Sequence, residues 1–397
     1  NFHIRYIVKS NAEHWFKDSQ VSTIYIVLDK TQSSKPTKFV TLNRKLSELI
    51  HPKSRNDQIQ QIEDFYADID NCNNPRNNLW EKDHFFDNLY KRKDGSLSIC
   101  LVSKEHLLNS LESKMNWGQF FLSTNLFGSF ENCLIQYYPN IVKVFRGERT
   151  GWNPMFVIKE KDLKASRIDK KYLIPYIKSS SELQQIEFDD NYKFRAFVCQ
   201  DDEKIIDEGT KSWIDKFANA LNKNGSQTIP EACAGHRPYW YSLNPKKANI
   251  ITTINPYERF FFTFAKESFS IDQRLIAMQV QDGYDVELIA ALLNSVITFL
   301  ILEMRGTSRN LGALDLNADF LKQLKLLNPN LLNKEKADAI ISAFRPLKNR
   351  NINSIVNEVE CSDRRKFDAT ILKCFGLDEE YLDNIYLSLI HISEPTR

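Results

Sequence analysis

The sequence lacks the cysteine patterns that mark disulfide-stabilised and zinc-binding proteins. Its seven cysteines are scattered along the chain, none of them forms a CxxC pair, and their number is odd. A disulfide framework is therefore not expected, and reduced thiols in a cytoplasmic protein are the natural interpretation. Cys233 and His236 lie close together but have no second pair, so we do not expect a zinc site either.

An excess of charge of one sign and a long apolar run are also missing. The formal net charge is +2, so a DNA-binding surface would have to come from local clustering of Lys and Arg. The most apolar stretch, Ala290 to Leu302, is interrupted by Asn294, Ser295 and Thr298. It is too short to span a bilayer and predicts a buried helix, so no membrane partner is expected.

The segments that are present predict an α+β protein built from several parts. Phe2 to Val8 and Thr23 to Leu28 are strand-like, and two strands alone are not a domain. We therefore expect residues 1–30 to be the last strands of a sheet whose remainder lies outside this sequence. Residues 31–115 are expected to form a linking lobe or insertion, in which Lys91 to Gly95 is a turn between a helix and the strand Leu97 to Val102.

Short apolar runs alternate with turn signals over residues 116–330, which predicts an α+β domain. Its predicted strands include Ile141 to Phe145, Met155 to Ile158 and Phe260 to Phe264, and its strongest predicted helix is Val286 to Met304. Helical periodicity dominates residues 331–386, and Gly376 is expected to end the helix predicted over residues 364–374. Residues 387–397 resemble the translated sequence of a sequencing-library adapter, and we expect this tail to lie outside the fold.

A glycine-containing loop follows the predicted strand Ile141 to Phe145. Gly147 and Gly151 permit unusual backbone angles, so the loop could be a plain turn. The same loop also combines charge that binds phosphate, a stacking face and an amide that can make two hydrogen bonds. These properties favour recognition of DNA by its residues, which are Arg146, Gly147, Arg149, Thr150, Gly151, Trp152 and Asn153.

Four segments, in chain order, resemble adenine-N6 DNA methyltransferases of restriction–modification type. The segments are residues 10–28, residues 146–158, Tyr239 to Leu243, and Leu292 to Ser295 followed by Gly312 to Leu316. The first departs from the family pattern at Ser22, where Asn is more usual. The resemblance implies the end of a Rossmann-like catalytic domain, an α+β target-recognition domain and C-terminal helices.

The resemblance also implies an activity, a cofactor and a partner. In the intact enzyme S-adenosylmethionine would methylate an adenine flipped out of double-stranded DNA, and the residues of this chain would choose the DNA sequence. Phe16 stands where an aromatic ring of the family faces the flipped base, although a core aromatic is an equally good interpretation. Tyr239, Trp240 and Tyr241 are expected to be packing residues.

The family's donor-binding and catalytic motifs are not found in the sequence. No glycine-rich donor loop follows a strand. Asn255, Pro256 and Tyr257 lack the second proline of the catalytic motif and lie within the recognition region, so we do not assign them to catalysis. A missing N-terminal catalytic half is therefore expected. Two alternatives remain, namely a stand-alone DNA-specificity subunit and a bifunctional restriction endonuclease-methyltransferase.

Overall fold

The computed structural model describes most of the chain. The described residues are 2–13, 15–16, 23–84, 88–112, 117–121, 130–147, 149–188, 191–256, 259–308, 314–383, 385–386 and 389. The strands are β1 (His3–Ser10), β2 (Ile24–Asp29), β3 (Thr37–Leu42), β4 (Trp80–Lys82), β5 (Leu89–Arg92), β6 (Leu97–Val102), β7 (Leu134–Gln136), β8 (Val142–Arg146), β9 (Val157–Lys159), β10 (Leu173–Ile177), β11 (Phe194–Phe197), β12 (Ala248–Thr253), β13 (Thr263–Ile271), β14 (Leu275–Val280), β15 (Thr307–Ser308), β16 (Leu314–Asp315) and β17 (Lys325–Leu327).

Helices connect the strands and dominate the C-terminal part. They are α1 (Leu46–Leu49), α2 (Arg55–Asp70), α3 (Lys104–Glu112), α4 (Asn153–Phe156), α5 (Leu163–Ser166), α6 (Glu208–Ala218), α7 (Ile229–Ala232), α8 (Val286–Leu293), α9 (Val296–Arg305), α10 (Ala318–Gln323), α11 (Lys334–Lys348), α12 (Ile355–Glu360) and α13 (Ser362–Cys374). Mixed sheets combined with helices confirm the predicted α+β class.

The first sheet has six strands in the order β2-β1-β3-β6-β5-β4. β1 pairs in antiparallel fashion with β2 and in parallel with β3, whose residues 37–42 lie in the expected lobe. The expectation that the first two strands have no sheet partners in this sequence is therefore wrong. The turn before β6 follows strand β5 rather than a helix, so this segment is a β-hairpin.

Side chains alternate between the two faces of this sheet, as the pleat requires. Tyr6 and Val8 on β1 pack in one buried cluster with Phe65 and Ile69 of α2. Ile7, between them in sequence, belongs to the large core that continues into the rest of the protein. The sheet is thus covered by α2 on one face and by the main core on the other.

The second sheet has seven strands in the order β8-β14-β12-β13-β10-β11-β9. β10 and β13 run parallel, and the other neighbours are antiparallel. The strand predicted from Met155 to Ile158 is wrong at its start, because Pro154 in the first turn of α4 favours a helix there. The strand predicted from Phe260 to Phe264 begins later, at Thr263.

The single helix predicted from Val286 to Met304 is in fact two helices, α8 and α9, bent by 56°. Asn294 ends α8, and its side chain exchanges two hydrogen bonds with the backbone of Phe262, at 3.0 Å and 2.8 Å. Ser295 caps α9 by accepting from the Thr298 backbone at 3.3 Å. No single helix among the described residues is long and apolar enough to cross a membrane, although this bent pair would reach that length and composition together.

A buried polar network joins this helix break to the C-terminal helices. Arg364 donates to the carbonyl of Asn294 at 2.6 Å and pairs with Glu358 at 3.2 Å. Asp368 accepts from the backbone of Val296 and from the Tyr386 hydroxyl, both at 2.9 Å. The side chains therefore replace the hydrogen bonds that the interrupted helix cannot make for itself.

The C-terminal helices agree with the predicted periodicity. α11, α12 and α13 lie within residues 331–386, and α13 covers the helix predicted over residues 364–374. Gly376 has the positive φ of 71° expected after a helix end. Leu389 is fully buried in the main core, although it lies in the tail expected outside the fold. The rest of that tail lies outside the described residues.

We predict that replacing Arg364 by Met strongly destabilises the protein. The substitution keeps an aliphatic side chain but takes the buried cation away from Asp368, which is 0% exposed, and leaves Glu358, which is 3% exposed, with Arg350 as its cation. Removing one partner of a buried ion pair costs about 3–5 kcal/mol. Urea denaturation would measure this decrease in the free energy of unfolding.

The adjacent Arg365 provides a matched control. Its ion pair with Asp383 is exposed on both sides, so Arg365→Met should cost no more than about 1 kcal/mol. Equal destabilisation by the two substitutions would show that burial of the network does not determine its contribution.

We also predict a pH dependence that comes from Asp368. Burial raises the pKa of this carboxyl to about 6, against the opposing effects of Arg364, Val296 and Tyr386. Because the folded-state pKa lies above the ordinary value of 3.8, the folded state binds the proton more tightly, and this contribution to stability is lost as pH rises from 3.8 to about 6. The advantage of the wild type over Asp368→Asn should therefore fall by on the order of 1–3 kcal/mol across that interval. Unfolding curves that keep a constant difference between the two proteins would contradict this assignment.

Candidate nucleic-acid interface

The loop of residues 146–153 lies against the turn that joins β13 to β14. The loop leaves β8, an edge strand that pairs with β14, and leads into α4. The turn consists of Asp272, Gln273 and Arg274. The Gly147 backbone N–H donates to the carbonyl of Leu275 at 3.2 Å. This bond joins the loop to the turn at the point where β8 ends and β14 begins.

Both glycines of the loop are required by close contacts. A Cβ on Gly147 would lie 2.2 Å from the carbonyl oxygen of Asp272, so any side chain there would push the loop away from the turn. Gly151 has a φ of +74°, and a Cβ there would lie 2.7 Å from Sγ of Cys233. The glycines therefore shape the loop, and a direct contact of either one with DNA stays a prediction.

Gln273 positions both arginines of the loop. Arg146 donates through Nε to the Gln273 carbonyl, and Arg149 donates through Nε to its side-chain Oε1 at 2.9 Å. Both arginines are exposed, and each guanidinium has five N–H donors. One turn thus fixes two cations at the surface and leaves other donors of each guanidinium for a ligand.

The remaining polar residues of the loop hold its shape. Thr150 is buried and donates to Oδ1 of Asn153, which begins α4. Trp152 is half-buried and packs against the core of the second sheet. A cleft of about 510 Å³, called here the loop cleft, is lined by Arg149, Thr150, Gly151, Trp152, Asn153, Pro154, Lys223, Asp272 and Gln273.

A second cleft lies on the other side of the turn and has a volume of about 490 Å³. We call it the basic cleft. It is lined by Arg146, Lys178, Ser179, Ser180, Thr253, Ile254, Asn255, Arg274, Leu275, Ile276, Asp315, Asn317 and Ala318. Five of the seven predicted loop residues line the loop cleft, whereas Arg146 lines the basic cleft.

Asp272 places its negative charge towards the protein interior. The residue is 4% exposed and lies 3.4 Å from the Tyr176 hydroxyl. Burial raises the pKa of Tyr176, and the nearby Asp272 raises it further. The phenol therefore stays protonated and donates a hydrogen bond to the Asp272 carboxylate. Arg274 lies 3.7 Å from the same carboxylate, but its side chain is 76% exposed. The turn therefore presents positive charge to solvent.

Sequence reasoning missed the turn and the cations that face it. Lys178 follows β10, Arg274 precedes β14, and Lys223 lies between α6 and α7. The sequence feature that could have indicated the turn is the polar run Asp272-Gln273-Arg274 between β13 and β14. Nothing local in the sequence indicated that this turn meets the loop, because Arg146 and Gln273 are 127 positions apart.

Phe16 lies in a different part of the fold from the two clefts. It follows β1 of the first sheet and is 61% exposed, so the interpretation as a core aromatic is wrong. Its neighbour Trp15 instead packs beside Tyr25, with ring centroids 5.4 Å apart. Contact of Phe16 with an extruded base stays a prediction, and residues 17–22, including Ser22, lie outside the described residues.

Two other sequence segments have clear surroundings. Tyr239 stacks on the buried Tyr241 at 5.1 Å, which agrees with a packing role. Asn255 is exposed, donates to the Leu314 carbonyl at 3.3 Å and lines the basic cleft, while Tyr257 lies outside the described residues.

Cys233 and His236 each contact another group of the protein. The Cys233 thiol lies 3.9 Å from the carbonyl of Thr150, and the His236 ring meets the Phe156 ring edge-on at 5.2 Å. All seven cysteines are free. Over the described part of the chain, no group of three or more His, Cys, Asp or Glu residues could hold a metal ion.

Comparison with known proteins gives a sequence relative and a fold relative. No protein-family profile matches the chain. The chain is 23% identical over 272 residues to the type II methyltransferase M.AccI of Acinetobacter calcoaceticus, a match that covers 64% of this chain and 48% of that protein. It therefore spans about half the length of this relative.

The fold is similar to that of the type IIG restriction endonuclease BpuSI. The TM-score is 0.53 at 11% sequence identity, and the match covers 99% of this chain and 43% of that chain. The likeness in sequence to a type II methyltransferase, together with this likeness in fold, confirms the resemblance of the chain to restriction–modification methyltransferases.

Proposed function

We propose that this chain recognises DNA sequence within a site-specific adenine-N6 DNA methyltransferase of restriction–modification type. The observation that carries the proposal is the fixation of two exposed arginines of the family-like loop by Gln273. Arginine beside an amide and an aromatic ring can read base edges in the major groove of duplex DNA. The similarity to a type II methyltransferase supports the same function.

Within the loop cleft, Arg149 and Asn153 are the residues best suited to base recognition. Arginine makes two hydrogen bonds with guanine, and asparagine makes two with adenine. For this, Oδ1 of Asn153 would use its second lone pair, because the first accepts from Thr150. Gln273 holds Arg149 through Nε, which restricts the guanidinium before DNA arrives and so reduces the entropy cost of binding. Trp152 contributes an aromatic wall beside them.

The methyl donor of such an enzyme, S-adenosylmethionine, does not fit either cleft. Its sulfonium is positively charged, and both clefts contain arginine and lysine, so like charges would oppose binding. The sequence also has no glycine-rich donor loop after a strand. We therefore place donor binding and methyl transfer in an upstream catalytic half of the intact protein and assign no catalytic step to these clefts.

The first sheet would then be the end of the catalytic domain. Phe16 is exposed after β1, where an aromatic plane could replace part of the stacking that an extruded adenine gives up. In this arrangement the second sheet selects the DNA site and the first sheet contacts the base to be methylated.

A bifunctional restriction endonuclease-methyltransferase is the second candidate. The similarity of fold to a type IIG restriction endonuclease over 99% of this chain favours it. Both candidates use the same recognition surface, and they differ only in whether the intact protein also carries a nuclease. Reading the gene upstream of Asn1 for a nuclease motif would distinguish them.

We predict that Arg149→Ala weakens DNA binding. Removing an arginine that reads a base edge should cost about 1–3 kcal/mol and relax the sequence preference at one position. The measurement is a gel-shift titration on duplexes selected by the wild type from a randomised library. Arg345→Ala is the matched control, because Arg345 is an exposed arginine of α11 that lines neither cleft. Unchanged affinity and unchanged preference in Arg149→Ala would remove the loop from the interface.

We also predict that this chain by itself does not methylate DNA. Methyl transfer requires a donor site that places the methyl group in line with the adenine nitrogen, and the clefts described above do not supply one. Incubation with labelled S-adenosylmethionine and unmethylated genomic DNA should leave the DNA unlabelled. Label at adenine N6 would contradict the assignment of catalysis to the upstream half, and Asn255 would then need to be tested by substitution.

A further inference from the structure

The basic cleft has a charge and a shape that the loop motif does not account for. Three cations line it, namely Arg146, Lys178 and Arg274, against the single carboxylate of Asp315. It shares the turn of residues 272–274 with the loop cleft, so a ligand that covers the turn would reach both. The cleft is therefore a candidate for a second, chemically different contact with the same ligand.

Arg274 is one of these three cations and is largely exposed. Its side chain is 76% exposed, and its guanidinium lies 3.7 Å from the buried Asp272 carboxylate, which is too long for a hydrogen bond. Asp272 is satisfied from the protein side, by the Arg274 backbone N–H at 3.1 Å and by the Tyr176 hydroxyl. An incoming anion could therefore bind the Arg274 guanidinium, and Asp272 would keep its hydrogen bonds to the Arg274 N–H and the Tyr176 hydroxyl.

The other two cations are held in place by contacts that preserve their charge. The bond from Arg146 to the Gln273 carbonyl uses Nε alone. The Lys178 ammonium lies 5.0 Å from the centre of the Phe194 ring, a cation–π contact that positions the amine and leaves it charged. Both can therefore act as positive groups facing the cleft.

The walls of the cleft favour phosphate over bases. Of the described residues that line it, none is aromatic, whereas the loop cleft contains Trp152. Bases without an aromatic platform gain little from stacking. Hydroxyl and amide side chains at Ser179, Ser180 and Asn317 are of the type that commonly contacts phosphate oxygens.

We propose that the basic cleft binds backbone phosphates of the DNA duplex whose bases the loop cleft reads. This inference rests on the proposed function and adds that the two clefts contact different parts of the DNA. The turn of residues 272–274 separates the two contacts, with phosphate on the side of Arg274 and bases on the side of Gln273. Arg146, which is fixed to the turn from the loop, belongs to the phosphate side.

The salt dependence of DNA binding tests whether the basic cleft contacts phosphates and the loop cleft contacts bases. Removing one cation that binds a phosphate should lower the slope of log affinity against log salt by about 1 and weaken binding to all sequences alike. Arg274→Ala and Lys178→Ala should each show this behaviour in titrations of a duplex of fixed sequence at several KCl concentrations. Arg149→Ala should instead change the sequences recovered from a randomised duplex library.

Two further variants control for charge and folding. Arg274→Lys keeps the point charge and should retain the wild-type slope, whereas Arg345→Ala removes an exposed arginine elsewhere and should change neither slope nor preference. Thermal unfolding of the two Arg274 variants should match that of the wild type, because Arg274 is mostly exposed. These controls separate the removal of a phosphate-binding group from a general decrease in charge or structure.

The possible outcomes distinguish this inference from the function on which it rests. Wild-type slopes in both Arg274→Ala and Lys178→Ala, with an altered preference in Arg149→Ala, would overturn the phosphate assignment alone. Altered sequence preference in Arg274→Ala would overturn it too, because the cleft would then read bases. A wild-type chain that binds no duplex DNA would remove the proposed function and this inference together.

Discussion

The fold depends on the polar network buried at the break between α8 and α9. Asn294 ends α8 and uses its amide to bind the backbone of Phe262, immediately before β13. Arg364 and Asp368 of α13 then bind the Asn294 carbonyl and the Val296 N–H, which lie at the buried ends of the two helices. A polar group in such a core is tolerated only when it is fully paired, so this network specifies one arrangement of sheet and helices.

The same network positions the candidate interface. β13 starts where Asn294 binds the backbone and ends at the turn that fixes Arg146 and Arg149. The close approach of Gly147 to Asp272 brings loop and turn together at the end of that strand. A rigid strand with a tightly packed turn can present charged side chains with little freedom, which is what recognition of a fixed DNA geometry requires.

Elements with strong local periodicity can be predicted from the sequence, and long-range pairings cannot. β1, β2 and α13 are predictable because their residues alternate or repeat at the spacing of a strand or a helix. The parallel pairing of β1 with β3 is not, because the polar segment around β3 gives no sign of its partner. For the site, the loop is recognisable by its motif, but Gln273 and Lys178 become relevant only through contacts that folding creates.

Net charge is a poor guide to the local charge of the surface, and one ion pair shows the reason. Asp272 and Arg274 together contribute no net charge, yet the carboxylate is 4% exposed and the guanidinium side chain 76% exposed. The surface potential there is set by the arginine, since the acid is shielded by the protein and bound by Tyr176. The buried Glu358 and Asp368 likewise lower the total charge without offering negative charge at the surface. A chain with a formal net charge of +2 can therefore present two clefts with exposed cations to a polyanion.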